Sequence, residues 1–379
     1  MPRHATSAKS NAFDGVIRVM VVDDSAVIRG IIRRTLDVDP SISVVASVAN
    51  GQHAIDSLAR HPVDVIVLDI EMPVMDGMTA LPKLLQANPD LKIIMASTLT
   101  QSNASVSLEA LKNGAADYIP KPSSNSEIHN TSSFKRDLVE MVKALGAKRL
   151  EKTDSAPTIS RESARVMPKV APLAKVEPNS ITLREPSKVK PAILCIGSST
   201  GGPKALLTVV KELNNNFNLP ILITQHMPKT FTPILAEHLQ QTGGFPAAEG
   251  IDGECLRPGQ IYVAPGGLHM LVEGSAREPI IRLDDGPQEN FCKPSVDPML
   301  RSVAKIYGAK VLTVILTGMG RDGLAGGRDI VAAGGTIVAQ DEESSVVWGM
   351  PGAVATAGIC SAVVPLSEIV AQIHKIAGS

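Results

Sequence analysis

Three aspartates in the first third of the chain occupy places where carboxylates could bind a cation. Asp23 and Asp24 follow the apolar run GVIRVMVV, and Asp69 closes a second apolar run, VDVIVLD. If these runs form neighbouring parallel strands, the three carboxylates meet at one edge of a sheet. Mg²⁺ prefers oxygen ligands such as carboxylates and phosphate oxygens. The simpler interpretation is that each acid only caps a helix or a loop.

Two other polar residues end later apolar segments of the same region. Lys121 follows the segment GAADYIP, and its ammonium group could neutralise a phosphoryl group. Ser97 ends the segment IIMAS and offers a hydroxyl donor. Four strand ends thus carry groups that could bind Mg²⁺ and phosphate together. This coincidence favours one shared site over the alternative that each residue only caps its own helix or loop.

The second half of the chain contains the glycine-rich turn IGSSTGG, between a predicted strand and a predicted helix. It fits the pattern G-x-S-x-G through Gly197, Ser199 and Gly201, a pattern that exposes a serine hydroxyl on a sharp turn. A phosphate could instead bind to the backbone N–H groups at the start of the helix. The turn lacks the G-x-G-x-x-G spacing of dinucleotide sites, which disfavours that alternative.

A nucleophilic serine needs a base that is oriented by an acid. His226 ends the apolar run ILITQ, and Asp322 lies in a glycine-rich loop after VLTVILT, so both are expected at the active edge of the sheet. His269 is a rival base, whereas His238 and His374 are expected at the surface. The order Ser, His, Asp differs from the Ser, acid, His order of α/β-hydrolases, which disfavours a lipase-type fold.

Alternating strands and helices would position these residues. The predicted strands of the first half are 15–22, 42–49, 63–69, 93–97 and 116–119, and the predicted helices are 26–36, 51–59, 79–86, 105–111 and 133–145. This alternation predicts βαβ units around a parallel sheet. The second half shows a similar α/β pattern from residue 192, with shorter strands around GQIYVAPGG, LVEG and PIIRL that could be antiparallel.

Composition limits the classes of protein. The chain has 379 residues, 44% of them hydrophobic, which excludes a wholly disordered chain and suggests two or three domains. A net charge of −1 and 3% aromatic residues disfavour nucleic acid and anionic membranes as partners. The four widely spaced cysteines predict reduced, buried thiols. We find no signal peptide and no membrane-spanning stretch, so we expect a cytoplasmic protein without membrane insertion.

The first half of the chain contains a set of motifs that resembles the response-regulator receiver domain. The motifs are VVDDSAVIRG, VIVLDIEMPVMDG, IIMAS and GAADYIPKP, and the likeness spans about residues 16–145. The resemblance implies a flavodoxin-like fold with a five-stranded parallel sheet. It also implies that Asp69 accepts a phosphoryl group from a sensor histidine kinase, with Mg²⁺ as cofactor.

The same resemblance implies roles for the residues around Asp69. The implied metal ligands are Asp23, Asp24, Asp69 and the backbone carbonyl of Glu71. The residues implied to contact the phosphoryl group or to act as the aromatic switch are Ser97, Lys121 and Tyr118. Phosphorylation places a dianion at the edge of the sheet, and the surrounding groups then move and repack a surface.

The second half resembles the catalytic domain of the chemotaxis protein-glutamate methylesterases, the CheB family. The motifs are IGSSTGGPKAL, ITQHMP, IYVAPGGLHM, KPSVDPML, LTGMGRDG and WGMPGAVATAG. The resemblance implies a second doubly wound α/β domain with a mostly parallel sheet. It implies Ser199 as nucleophile, His226 as base and Asp322 as acid, and it also implies a glutamine deamidase activity.

The resulting hypothesis is an esterase controlled by phosphorylation. The predicted domains are a receiver at 16–146, a polar linker at 147–190 and a catalytic domain at 191–379. The expected substrate is a γ-glutamyl methyl ester on a chemoreceptor, hydrolysed without a cofactor. Gly318 and Met319 are the candidate backbone donors to the oxyanion. We expect a monomer in which the linker keeps the receiver close to the esterase.

Overall fold

The computed structural model describes residues 15–98, 100–121, 130–154, 181–213 and 217–378. By the density of contacts, the chain divides into two compact units: 1–96 with 121–157, and 97–120 with 158–379. Most of the predicted linker, residues 155–180, lies outside the described residues. None of the helices within the described ranges combines the length and the apolar character needed to cross a membrane.

The N-terminal sheet has five strands in the order β2-β1-β3-β4-β5. The strands are β1 (Ile17–Val22), β2 (Ile42–Val48), β3 (Val65–Asp69), β4 (Lys92–Ser97) and β5 (Asp117–Pro120). Strand β1 pairs in parallel with both β2 and β3, and β3 pairs in parallel with β4. Because β1 lies between β2 and β3, the chain reverses its winding direction there, which is where α/β sheets bind ligands.

Five helices connect or follow these strands. They are α1 (Ala26–Leu36), α2 (Gly51–Leu58), α3 (Gly77–Ala87), α4 (Gln101–Lys112) and α5 (Asn130–Asp154). The side chains of Ser25 and Asp76 cap α1 and α3 by accepting a backbone N–H of the first turn. The helix caps are thus residues other than Asp23, Asp24 and Asp69, although Asp23 and Asp69 do accept the loop N–H groups of Ser25 and Glu71.

The C-terminal sheet has seven strands in the order β14-β13-β12-β6-β7-β9-β8. The strands are β6 (Ile193–Ser198), β7 (Ile221–Gln225), β8 (Ala247–Glu249), β9 (Ile261–Val263), β12 (Val311–Ile315), β13 (Thr336–Gln340) and β14 (Ala362–Val364). Every strand of this sheet pairs in parallel with its neighbours. The suggestion that the segment containing β9 is antiparallel is therefore wrong, whereas β10 (His269–Gly274) and β11 (Pro279–Asp284) do form an antiparallel pair.

Six helices accompany the second sheet. They are α6 (Gly202–Glu212), α7 (Thr232–Gly243), α8 (Val296–Tyr307), α9 (Leu324–Ala332), α10 (Met350–Thr356) and α11 (Ile369–Ala377). All residues of β6, β7 and β12 are buried, as expected for strands covered on both faces. The predicted fold class, a five-stranded receiver sheet and a second doubly wound α/β sheet, is confirmed.

Candidate active site

The acids at the ends of β1 and β3 surround one lysine. Lys121 Nζ lies 2.8 Å from Asp23 Oδ2 and 2.6 Å from Asp69 Oδ1. Burial lowers the pKa of Lys121, but the two carboxylates raise it above its ordinary value. Burial and the charge of Asp23 raise the pKa of Asp69 to about 6, although Lys121 lowers it. The lysine therefore neutralises part of the negative charge at this edge.

The donor set at this edge fits a hard divalent cation. Carboxylate oxygens of Asp23, Asp24 and Asp69 lie within 4.8 Å of one another, and Asp24 is exposed. The Glu71 backbone N–H hydrogen-bonds to the Asp69 carboxylate. Oxygen ligands at this spacing, open to water on the side of Asp24, suit Mg²⁺, which keeps several waters when bound.

Two residues predicted to respond to phosphorylation have other partners. The Ser97 hydroxyl is buried and donates to the Thr98 carbonyl at 3.1 Å. Tyr118 stacks on Phe231, with ring centroids 4.4 Å apart, and both rings belong to the second compact unit. In the same unit, Asp117 hydrogen-bonds to the Thr200 side chain, and burial raises the pKa of Asp117 to about 7.

In the second sheet, the turn after β6 carries Ser199. The Ser199 N–H donates to the Thr317 carbonyl at 3.1 Å, which fixes the turn to the loop after β12. Gly201 has φ +73°, a conformation that favours glycine. A Cβ at Gly202 would lie 2.1 Å from the side-chain oxygen of Gln225, so glycine permits this close approach. The glycines of the turn are therefore required by its geometry.

Gln225 ties the serine turn to the strand that carries the histidine. Its Nε2 donates to the Ser199 carbonyl at 3.0 Å and to the His226 carbonyl at 3.1 Å. Its Oε1 accepts the Ser198 hydroxyl at 2.7 Å. All three bonds involve a side chain that is only 2% exposed. Gln225 therefore sets the spacing between the backbones at Ser199 and His226, a role that no feature of the sequence indicates.

His226 and Asp322 form a buried pair. His226 Nε2 lies 2.7 Å from Asp322 Oδ2, and Asp322 is 1% exposed. Burial raises the pKa of Asp322, but hydrogen bonds from His226, Val296 and Ser295 together lower it to about 2. Asp322 is therefore ionised at neutral pH and orients the imidazole ring.

The Asp322 carboxylate accepts hydrogen bonds on both oxygens from a segment distant in sequence. The donors to Oδ1 are Asn290 Nδ2, Ser295 Oγ, Asp297 N and Gly323 N, and the donors to Oδ2 are His226 Nε2 and Val296 N. Asp297 is a second buried carboxyl, and burial and Asp322 raise its pKa to about 6. The motif KPSVDP thus supplies three of the hydrogen bonds that hold the acid, a role that its residue types alone do not indicate.

Cys292 lies on the other side of the imidazole ring. Its Sγ is 3.2 Å from His226 Nδ1. Among the described residues, no hydrogen bond joins the Ser199 hydroxyl to His226. Cys195 and Cys360 are buried, but Cys255 is exposed and Cys292 is half-buried, so the expectation of four buried thiols is wrong for the last two.

Of the two oxyanion candidates, only one has a free N–H. The Gly318 N–H donates to the Val347 carbonyl at 3.0 Å, so it is not available as predicted. Within the described part of the chain, the N–H groups of Met319 and Thr200 have no backbone or side-chain acceptor. Thr200 follows Ser199 at the start of α6, where N–H groups point at a negative charge.

The three other candidate histidines do not lie at this site. His269 is 2% exposed, its Nε2 contacts the Pro287 carbonyl at 2.9 Å, and its Nδ1 accepts the Ser295 N–H at 3.2 Å. Because both ring nitrogens are engaged by the backbone, His269 is unsuited to act as a base. His238 lies on α7, and His374 packs edge-on against Phe217.

The two sheets and their strand-end groups define a class of protein: a receiver-type parallel sheet joined to a second α/β domain that carries a candidate hydrolase site. The family models agree, since residues 19–132 match the response regulator receiver domain and residues 194–373 match the CheB methylesterase family. The chain belongs to the CheB methylesterase family, and it is an ester hydrolase with a receiver domain.

Relatives from several bacteria are similar over nearly their whole length. A protein-glutamate methylesterase/protein-glutamine glutaminase of Rhodospirillum rubrum is 53% identical over 98% of this chain and 98% of its own. Its counterpart in Azospirillum brasilense is 56% identical over 95% of this chain and 93% of its own. The solved CheB methylesterase catalytic domain of Thermotoga maritima is 40% identical, covers 49% of this chain and 99% of its own, and has a TM-score of 0.48.

Proposed function

We propose that this chain hydrolyses γ-glutamyl methyl esters on chemoreceptors and deamidates their glutamines, with Ser199 as nucleophile, His226 as base and Asp322 as acid. The observation that carries the proposal is the buried His226–Asp322 pair, together with the position of Ser199 after β6, which lies between the strands β7 and β12 that precede the other two residues. Relatives with these two activities in their names support the choice of substrate.

The ring geometry determines how the proton would move. Because Nε2 of His226 faces Asp322, the ring nitrogen that serves Ser199 is Nδ1. In the proposed first step, Nδ1 takes the Ser199 hydroxyl proton while Oγ forms a bond to the ester carbonyl carbon. The tetrahedral intermediate collapses, and methanol leaves with the proton that His226 returns. Water then repeats the sequence on the acyl-enzyme and releases the glutamate side chain.

The negative charge of the tetrahedral intermediate needs preorganised donors. The free N–H groups of Thr200 and Met319 are the groups we propose for this role. One such donor typically lowers the barrier by about 3 kcal/mol. Helix α6 begins beside Thr200, and the positive end of its dipole adds to the stabilisation.

The decisive measurement is methanol release from a methylated receptor. The purified full chain should release methanol from the receptor's cytoplasmic fragment carrying methyl-glutamate, and ammonia from the same fragment carrying glutamine at those positions. A fragment with free glutamate is the control and should release neither. If no methanol forms with activated chain and methylated fragment, the proposed substrate class is wrong.

We further propose that phosphorylation of Asp69 activates the esterase. Mg²⁺ held by Asp23, Asp24, Asp69 and the Glu71 backbone would neutralise charge during phosphoryl transfer. A phosphoryl group on Asp69 would attract Lys121 away from Asp23, and Lys121 directly follows β5, so its movement would act on the C-terminal end of that strand. Asp117 of β5 bonds to Thr200 beside the nucleophile, and this contact supports a link between the two sites.

Asp69→Asn should hold the chain at its basal esterase rate. The amide cannot accept a phosphoryl group, so a small phosphodonor with Mg²⁺ should raise methanol release by the parent chain but not by the variant. Asp56→Asn, an exposed position on α2, is the matched control and should respond like the parent. Equal stimulation of parent and Asp69→Asn would show that another residue carries the phosphoryl group.

A further inference from the structure

Cys292 and Ser199 require the same nitrogen of His226. The Asp322 carboxylate can only accept, so His226 Nε2 carries the hydrogen and Nδ1 of the neutral ring is the acceptor. The Cys292 thiol lies 3.2 Å from that acceptor. A ring with one free acceptor can serve one donor at a time. The thiol therefore occupies the nitrogen that the nucleophile needs for proton transfer.

A strained turn places Cys292 in this position. Glu289 and Cys292 exchange two backbone hydrogen bonds, and the residues between them, Asn290 and Phe291, have φ values of +52° and +62°. Two consecutive left-handed residues that are not glycine are unfavourable, more so for a bulky aromatic side chain. The Asn290 side chain anchors the turn by donating to Asp322 at 3.0 Å. One turn thus holds the acid with Asn290 and the base with Cys292.

Among the described residues, two titratable side chains contact the ring nitrogens of His226. Asp322 faces Nε2 and Cys292 faces Nδ1, and burial lowers the pKa of His226 while Cys292 and Asp322 raise it to about 10. Asp297 acts on the ring through Asp322. The charged residues beside Cys292 in the sequence form ion pairs with other side chains: Glu289 pairs with Arg301, and Lys293 pairs with Asp285.

From this arrangement we propose that Cys292 is a positioning residue that holds His226 in a resting state and competes with Ser199 for Nδ1. The inference deepens the proposed esterase function and rests on it. Because Cys292 raises the pKa of His226, the proton between Sγ and Nδ1 is held on the ring in the resting state, and a protonated ring cannot accept the Ser199 proton. Removing the sulfur would free Nδ1 and favour the neutral ring. Since a general base must be neutral, the esterase would then work at lower pH.

A histidine titration tests the proposal without substrate. In NMR spectra of the full chain with labelled histidine, Cys292→Ala should lower the pKa of His226 by about one unit or more. Cys292→Ser places a neutral hydroxyl donor beside Nδ1, which favours the neutral ring, so it should lower the pKa of His226 as well, and it remains informative if the alanine variant does not fold. Cys255→Ala, at an exposed cysteine, should match the parent.

The pH profile of methanol release supplies the second readout. The acidic limb of kcat/KM should move to lower pH in Cys292→Ala by the same amount as the NMR titration. An unchanged His226 titration in both folded Cys292 variants would overturn the proposal. That result is distinct from failure of the esterase proposal, which would appear as absent methanol release in the parent chain itself.

Discussion

Ser199→Ala should reduce methanol release from a methylated receptor by ~10⁴-fold or more, because removal of a serine nucleophile leaves only binding and oxyanion stabilisation. The backbone of the turn depends on the Ser199 N–H to Thr317 and on the carbonyl that accepts from Gln225, and alanine keeps both groups. The variant should therefore fold and unfold like the parent. Single-turnover assays with a quantified methanol product would measure the loss.

The control for this variant is a serine outside the site. Ser275 lies in the exposed turn between β10 and β11, where its hydroxyl accepts the Glu278 N–H. Ser275→Ala should keep full esterase activity. A parent-like rate in Ser199→Ala would remove Ser199 from the mechanism, and a parent-like thermal unfolding curve makes that comparison meaningful.

Asp322→Asn should cost both activity and stability. The amide would leave His226 in the wrong tautomer, and comparable substitutions in serine hydrolases lower kcat about 10⁴-fold. Each Asp322 oxygen accepts at least two hydrogen bonds. Whichever oxygen the amide NH₂ group of asparagine replaces, that NH₂ group would therefore point at N–H or O–H donors and have no acceptor. A buried donor without an acceptor costs about 1–3 kcal/mol, which lowers the free energy of unfolding.

The pH dependence of unfolding separates the two effects. The pKa of Asp322 is lowered from 3.8 to about 2, so the parent gains stability from this group above pH 4. This gain is lost as the pH falls through 2. The difference in the free energy of unfolding between the parent and Asp322→Asn should therefore become smaller as the pH falls from 4 to 2. Asp329→Asn, at an exposed position on α9, is the control. A constant difference from pH 6 to pH 2 would contradict this account.

Most strands of the two sheets could be predicted because their apolar runs are continuous, as burial on both faces requires. The short strand β8, which is only half-buried, was not predicted. The direction of β9 could not be predicted. Its three residues contain no pattern that reports direction, and the parallel pairing is set by β7, which lies far away in sequence. Helix α8 was not predicted, although it carries a strongly buried face. Its first turn contains proline, which interrupts the usual helical signal.

The sequence indicated the candidate catalytic residues more readily than the residues that hydrogen-bond to them. Ser199, His226 and Asp322 each follow an apolar run, and strand ends are where parallel sheets expose chemistry. Cys292 and Asn290 lie on a turn without such a signal. Their approach to His226 and Asp322 depends on two left-handed residues, a backbone property that residue type does not reveal. Likewise, the bond that occupies the Gly318 N–H depends on the path of residue 347.

The support of Asp322 also constrains the order of folding. Four of its hydrogen bonds come from Asn290, Ser295, Val296 and Asp297, which are 25 to 32 positions earlier in the chain. Contacts at such separation close large loops and form late compared with helices and neighbouring turns. During synthesis, the segment from Asn290 to Asp297 can form these hydrogen bonds only after β12 and the loop that follows it have been synthesised. The complete set of hydrogen bonds around Asp322 is thus among the later features that the folding chain acquires.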